Sequence, residues 1–277
     1  QQNKITNNSV VPFDTALFTL YNINCDYLNG GNAMSDFKYE FLGSGIYVAV
    51  SKEHTFGTDA VLLADFASPK RNERACDLGT GCGIIPMLWC RNNCAKEIPA
   101  VGLQEKGYMQ TCESVRKSSV EEKVKPINHD LKDIKSVLSH ASMDVVTMNP
   151  PYKAADSGIK SITPAELIAR HEVECNLDDI CSAAAYLLNF GGRLCMCNRP
   201  ERLSDTIVSM KNNGIEPKRL RLVAKTPYTR PWLFLIEGRK GGKPFMNVDP
   251  LLIMYGEDGE LSKEVTDIYG EYKENVK

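Results

Sequence analysis

Asp77-Leu-Gly-Thr-Gly-Cys-Gly83, lying between Arg74-Ala-Cys-Asp-Leu78 and the segment from Ile84 to Cys90, decides the fold. The segment before it has the length and apolarity of a buried strand. The one after it reads as a helix, with Pro86 admissible because it falls in the first turn. A glycine-rich turn from strand to helix is the first crossover of an open α/β sheet. Outward from this turn the alternation repeats. Strands are expected at 100–104, 124–127, 143–148 and 193–197, and helices at 106–117, 176–189 and 201–213. Gly191-Gly192 and Gly214 supply the left-handed stops expected after the last two helices. Two final strands are expected at 219–224 and 232–237. Upstream, residues 39–50 read as a hairpin, and Phe56-Gly-Thr-Asp-Ala-Val-Leu-Leu-Ala-Asp-Phe66 as a turn feeding a helix, with Thr58 or Asp59 near its N-cap. Apolar, non-alternating strands separated by helices predict a doubly wound, mostly parallel sheet covered on both faces.

The glycine loop also selects a ligand. A dinucleotide site would read G-x-G-x-x-G and leave a helix N-terminus open to a pyrophosphate. Here the third glycine, Gly83, comes one residue early, after Gly79, Thr80 and Gly81, and Asp77 precedes them all. A carboxylate is a poor neighbour for phosphates and a good one for an ammonium group. S-adenosylmethionine carries an ammonium and a sulfonium and no phosphate, so the charge pattern favours it. Two later acids suit the same ligand: Glu105, expected at the end of the second strand, for the ribose hydroxyls, and Asp130, after the third, for the adenine amine. Either could instead be a surface carboxylate capping a turn.

Asn149-Pro-Pro-Tyr152 follows the fourth expected strand, which a doubly wound sheet sets beside the first. Alone it could be a rigid strand exit. Beside the glycine loop it suits methylation of an exocyclic amine, whose lone pair is delocalised into a ring. The Asn149 side-chain oxygen and the Pro150 carbonyl would accept the two N–H groups and favour a pyramidal nitrogen. Pro150 and Pro151 stiffen the turn and remove competing donors, and Tyr152 offers a face on which a planar base stacks. A stacked base would first be flipped out.

The bulk composition is that of an ordinary globular protein, with 43% hydrophobic and 25% charged residues and a formal net charge of −2 over 277 residues. Basic residues nevertheless cluster between Lys211 and Lys243, nine against Glu216 and Glu237. Such a run is either a polyanion-steering patch or a solvated face. The ten cysteines include no C-x-x-C pair, so they read as reduced, buried thiols with no metal. No apolar run approaches the roughly 20 residues of a membrane span, which points to the cytoplasm. Residues 1–33 are Asn-rich and unlike the rest. Met34 is the expected natural start, with 1–33 a non-native or disordered extension. A single domain then follows over 34–277: hairpin and helix to 70, catalytic core 71–255, and a tail over 256–277.

With these motifs in hand, the chain resembles the bacterial tRNA1(Val) (adenine-37-N6)-methyltransferase family of class I methyltransferases. The likeness runs from about Lys38 to about Tyr255. It rests on Phe56-Gly-Thr-Asp-Ala-Val-Leu-Leu-Ala64, the two motifs above, Ala169-Arg-His-Glu172, Glu216-Pro-Lys-Arg219 and Leu235-Ile-Glu-Gly238. The resemblance implies a Rossmann-like sheet of seven strands with an antiparallel last strand, S-adenosylmethionine as donor and a tRNA adenine as acceptor, with no obligate protein partner. It also implies that Phe56, Thr58 and Asp59 line the cofactor pocket and that Arg170 and His171 lie near the acceptor. Rival readings are a release-factor glutamine N5-methyltransferase, a DNA adenine N6-methyltransferase and a non-catalytic RNA-binding module. The first class carries a helical N-terminal substrate domain, for which residues 1–50 read as too short and too strand-like, and the second a target-recognition insertion that no stretch here resembles. Intact Asp77, Glu105 and Asn149 speak against the third.

Overall fold

The apolar runs become the strands of one sheet. The computed structural model describes residues 37–52, 54–150 and 176–275, all within the unit Asp36–Lys277. β3 (Ala75–Leu78), β4 (Ile98–Gly102), β5 (Val124–Asn128), β6 (Met143–Met148) and β7 (Leu188–Asn198) run parallel. β8 (Ile215–Ala224) and β9 (Leu233–Lys240) complete seven long strands in the order β8-β9-β7-β6-β3-β4-β5. β9 is antiparallel to both its neighbours, so the expected sheet is present. Two short strands, β10 (Asn247–Val248) and β11 (Leu252–Ile253), extend it alongside β8. They are too short to leave a periodic signal. β3 lies centrally, with β4 on one side and β6 on the other, and the crevice beyond its carboxyl end is where open sheets bind ligands.

Helices α1 (Thr58–Ala67), α2 (Ile84–Arg91), α3 (Glu105–Ser118), α4 (Leu177–Leu187) and α5 (Leu203–Asn212) cover the sheet. Trp89 is fully buried on α2, and its indole N–H donates to the Ala64 carbonyl of α1 at 3.0 Å. The hairpin of β1 (Lys38–Gly43) and β2 (Ile46–Val50) stands outside the main sheet. An unpaired strand edge needs partners, and α3 supplies them at every fourth residue. Gln110 donates to the Ala49 carbonyl, Ser114 accepts from the Ala49 amide and Ser118 accepts from the Tyr47 amide, all at 2.8–2.9 Å.

Two local expectations need correcting. α4 ends at Leu187, and Leu188 is already extended, so Gly191-Gly192 does not stop the helix. Met143 pairs with Leu188 but Val145 with Arg193, so β7 carries a bulge here, and Gly191 takes its positive φ of 79° within it. The 256–277 segment, read as a tail, contains α6 (Lys263–Tyr269), with Val265, Ile268 and Tyr269 buried. Arg91 holds the end of that helix by donating to the Tyr269 and Ile268 carbonyls at 2.8 and 3.1 Å. Gly214, with φ 71°, follows α5 as expected.

Gly107, in the first turns of α3, lies against the glycine loop. A Cβ placed there would come 2.8 Å from the Gly81 carbonyl oxygen. Helix propensity alone would favour Gly107→Ala by about 1 kcal/mol, but the clash is with backbone, and overpacking costs about 1–3 kcal/mol. Gly107→Ala is therefore expected to melt below wild type. A calorimetric Tm above wild type would show that the loop yields.

Candidate active site

Asp77 sits at the carboxyl end of β3, only 1% exposed. The Thr147 hydroxyl of adjacent β6 donates to its Oδ1 at 2.7 Å, and no cation pairs with it among the described residues. Burial pushes the carboxyl up to about 7, against the pull of the Thr147 and Thr80 hydroxyls. The loop beyond it needs glycine. At Gly79, φ is 65° and a Cβ would meet Met148 at 2.9 Å. Thr111 of α3 steadies the loop by donating to the Gly81 carbonyl at 3.2 Å. Thr80 Oγ1 is buried without a hydrogen bond of good geometry, and the space over Gly81 is open. A buried carboxyl without a cation, an orphaned hydroxyl and an open glycine turn together fit a cationic, phosphate-free ligand.

Asn149 and Pro150 follow β6 directly. The Asn149 amide nitrogen donates to Asp59 Oδ2 at 3.1 Å, and its Oδ1 accepts from the Cys197 thiol at 3.1 Å. An ionised carboxylate only accepts, so Asp59 fixes which way the amide points. Asp59 belongs to the first turn of α1, whose N-cap is Gly57, so Thr58 and Asp59 lie beside the cap as expected. A Cβ on Gly57 would collide with the Asp59 carboxylate at 2.5 Å. The neighbouring residues turn to the C-terminal helix: Thr58 Oγ1 accepts from the Tyr269 hydroxyl at 2.9 Å, and the Phe56 ring lies 5.7 Å from that of Tyr272. The three residues expected to line a cofactor pocket are thus divided, with Asp59 on the Asn149 amide and the other two against α6 and the turn after it.

The two later acids also sit differently from expectation. β4 ends at Gly102, and Glu105 is the exposed first residue of α3 rather than the end of the strand. Asp130 caps the 3₁₀ turn Leu131–Ser136, with Oδ1 accepting from the Lys132 amide at 2.9 Å. Pro151, Tyr152, Arg170 and His171 lie outside the described residues. Sequence reading missed Thr147 and Cys197. Thr147 carried a weak signal, a polar residue in the carboxyl-terminal half of a mostly apolar strand; Cys197 carried none, because a buried thiol reads as a small hydrophobe.

Most of the basic run is committed to internal work. Lys218 donates to the carbonyls of Lys243, Pro244 and Phe245. Arg219 stacks on Phe66 and pairs with Glu237, Arg221 pairs with Glu264, and Arg239 pairs with Glu237. Lys240 donates to the Leu188 carbonyl, and Lys211 pairs with Glu216. Of the nine, Lys225, Arg230 and Lys243 form no ion pair or side-chain hydrogen bond among the described residues.

Comparison with known proteins places this geometry. The methyltransferase small domain family model matches residues 48–200. A tRNA1(Val) (adenine(37)-N6)-methyltransferase from Histophilus somni is 30% identical over 139 residues, covering 50% of this chain and 58% of its own length. One from Parabacteroides distasonis is 27% identical over 181 residues, covering 65% and 75%. The match thus spans less than two thirds of the Histophilus relative. Among solved structures, a predicted O-methyltransferase from Agrobacterium tumefaciens superposes with a TM-score of 0.63 at 19% identity, over 76% of this chain and 95% of that one, a likeness of fold. No described helix is long and apolar enough to cross a membrane. The chain belongs to the methyltransferase small domain family, a family of S-adenosylmethionine-dependent enzymes.

Proposed function

We propose that the chain methylates the N6 amine of an adenine in tRNA, with adenine-37 of tRNA1(Val) as the target. The observation that carries this reading is the Asn149 amide, held by Asp59 so that its oxygen faces away from the carboxylate, one strand from the buried Asp77. The names of the relatives supply the tRNA. A tRNA acceptor would place the activity in the cytoplasm.

Asp77, Thr80 and the Gly79–Gly83 turn would hold the donor, with Glu105 and Asp130 as candidate partners for its nucleoside. When bound, S-adenosylmethionine supplies an electrophilic methyl group on a sulfonium. Asn149 Oδ1 and the Pro150 carbonyl accept the two N–H groups of the acceptor amine, freeing its lone pair for in-line attack. Tyr152 stacks on the base, and Arg170 and His171 contact the RNA beside it. The thiol of Cys197 is a weak donor to the same oxygen, and an amine N–H outcompetes it. Once methylated, the nitrogen loses a proton to water, so no strong base is required, and positioning carries most of the rate.

Asn149→Ala is expected to lower kcat by about 10²–10³-fold, the scale seen when one positioned polar contact is lost, while leaving donor affinity intact by calorimetry. Retained turnover would refute this mechanism. Nucleoside mass spectrometry of tRNA with and without the enzyme should show a gain of N6-methyladenosine; methylation of a release-factor glutamine instead would move the assignment to that class.

Asp77 adds a pH signature. Its carboxyl ionises at 3.8 when unperturbed and at about 7 in the fold. Its contribution to the stability of the ligand-free protein is full below about pH 4 and is lost as pH rises to about 7. An ammonium ligand favours the carboxylate, so binding below pH 7 releases a proton. Donor affinity should therefore weaken on acidification, by up to about ten-fold per pH unit. Asp77→Asn, which does not titrate, should flatten the curve; equal slopes in the two proteins between pH 5.5 and 7 would refute the assignment.

A further inference from the structure

The carboxyl edge that bears Asn149 continues across β7, β9 and β8, and its surface changes character along the way. Above the end of β7 and the start of β9, the Arg199 guanidinium lies 5.8 Å from the centre of the Trp232 ring and donates to the Trp232 carbonyl. Above β8 and β11, an open groove of about 650 Å³ runs between the β8–β9 loop and the turn after β11. Tyr228 on the loop is 86% exposed, and Tyr255, on the turn, is 39% exposed. Lys225 and Arg230 belong to the same loop and form no ion pair or side-chain hydrogen bond with another described residue. The facing turn carries Glu257, Asp258 and Glu260.

We infer that this groove is a single-stranded RNA platform, which takes the nucleotides flanking the target base while that base occupies the Asn149 site. The inference rests on the tRNA reading above. Three strand spacings separate β6 from β8, about 14 Å along the edge, so the platform lies beside the acceptor site rather than in it. Exposed aromatic rings stack on any base, and unpaired cations track the backbone. The acids of the facing turn keep phosphates on the Lys225 and Arg230 side and leave the bases towards Tyr255. The rest of the basic run cannot serve in the same way: six of its members are engaged inside the protein, and Lys243 follows β9 at the opposite edge of the sheet. An apolar peptide could use the rings but would gain nothing from the two cations.

The test uses the full chain and an unmodified tRNA1(Val) transcript, with affinity read by fluorescence anisotropy from 50 to 300 mM salt. Tyr228→Ala with Tyr255→Ala should weaken binding by about 5-fold or more for each ring. Lys225→Ala with Arg230→Ala should reduce the slope of log affinity against log salt by about 1.4. S-adenosylmethionine affinity should match wild type in both, which reports that the fold and donor site are intact. If wild type methylates the transcript and both variants bind it with wild-type affinity and salt slope, the platform is refuted and the tRNA reading stands. If wild type neither binds nor methylates the transcript, both fall.

Discussion

A carboxyl group buried at the end of β3, with no cation beside it among the described residues, is the constraint around which the candidate site is arranged. Holding Asp77 out of water raises its ionisation from 3.8 to about 7, equivalent to about 4 kcal/mol against the charged form. This is what remains after the Thr147 and Thr80 hydroxyls have pulled the other way. The surrounding core, in which every residue of β3 and β4 is buried, sustains it. Such a group costs stability when it ionises alone and would be stabilised by a cation beside it.

The same logic explains the close contact between the glycine loop and α3. Asp77 can face the crevice only if the chain turns sharply after Leu78. That turn in turn brings the Gly81 carbonyl against Gly107 and Thr111. Glycine is needed in the helix as well as in the loop, which helix propensity alone would not suggest.

The elements outside the sheet are drawn into the site from both ends of the described chain. α1 delivers Asp59 to the Asn149 amide, and α6 delivers Tyr269 to Thr58 one residue away. Trp89 links α1 to α2, the helix that leaves the glycine loop. The amide orientation at Asn149 thus depends on packing contributed by residues more than one hundred positions downstream. Charge shows a parallel effect. A run of nine basic residues reads as a patch or a solvated face, yet its guanidinium and ammonium groups mostly satisfy carbonyls and carboxylates, and of the three left over among the described residues Lys225 and Arg230 share the β8–β9 loop while Lys243 follows β9.

The sequence by itself determined the sheet, its parallel strands and the paired motifs, because unbroken apolar runs, glycine turns and Asn-Pro-Pro-Tyr are local signals with local causes. It placed Asp77 and Asn149 at the ends of neighbouring strands because a doubly wound order leaves few alternatives. Only the tertiary structure decided what those residues touch. Asp59 meets Asn149 across ninety positions, Cys197 reaches the same oxygen from β7, and Glu105 slips past the strand end onto a helix, since β4 stops at Gly102. Side-chain contacts between distant segments depend on how the elements pack, and no periodicity within one element encodes them.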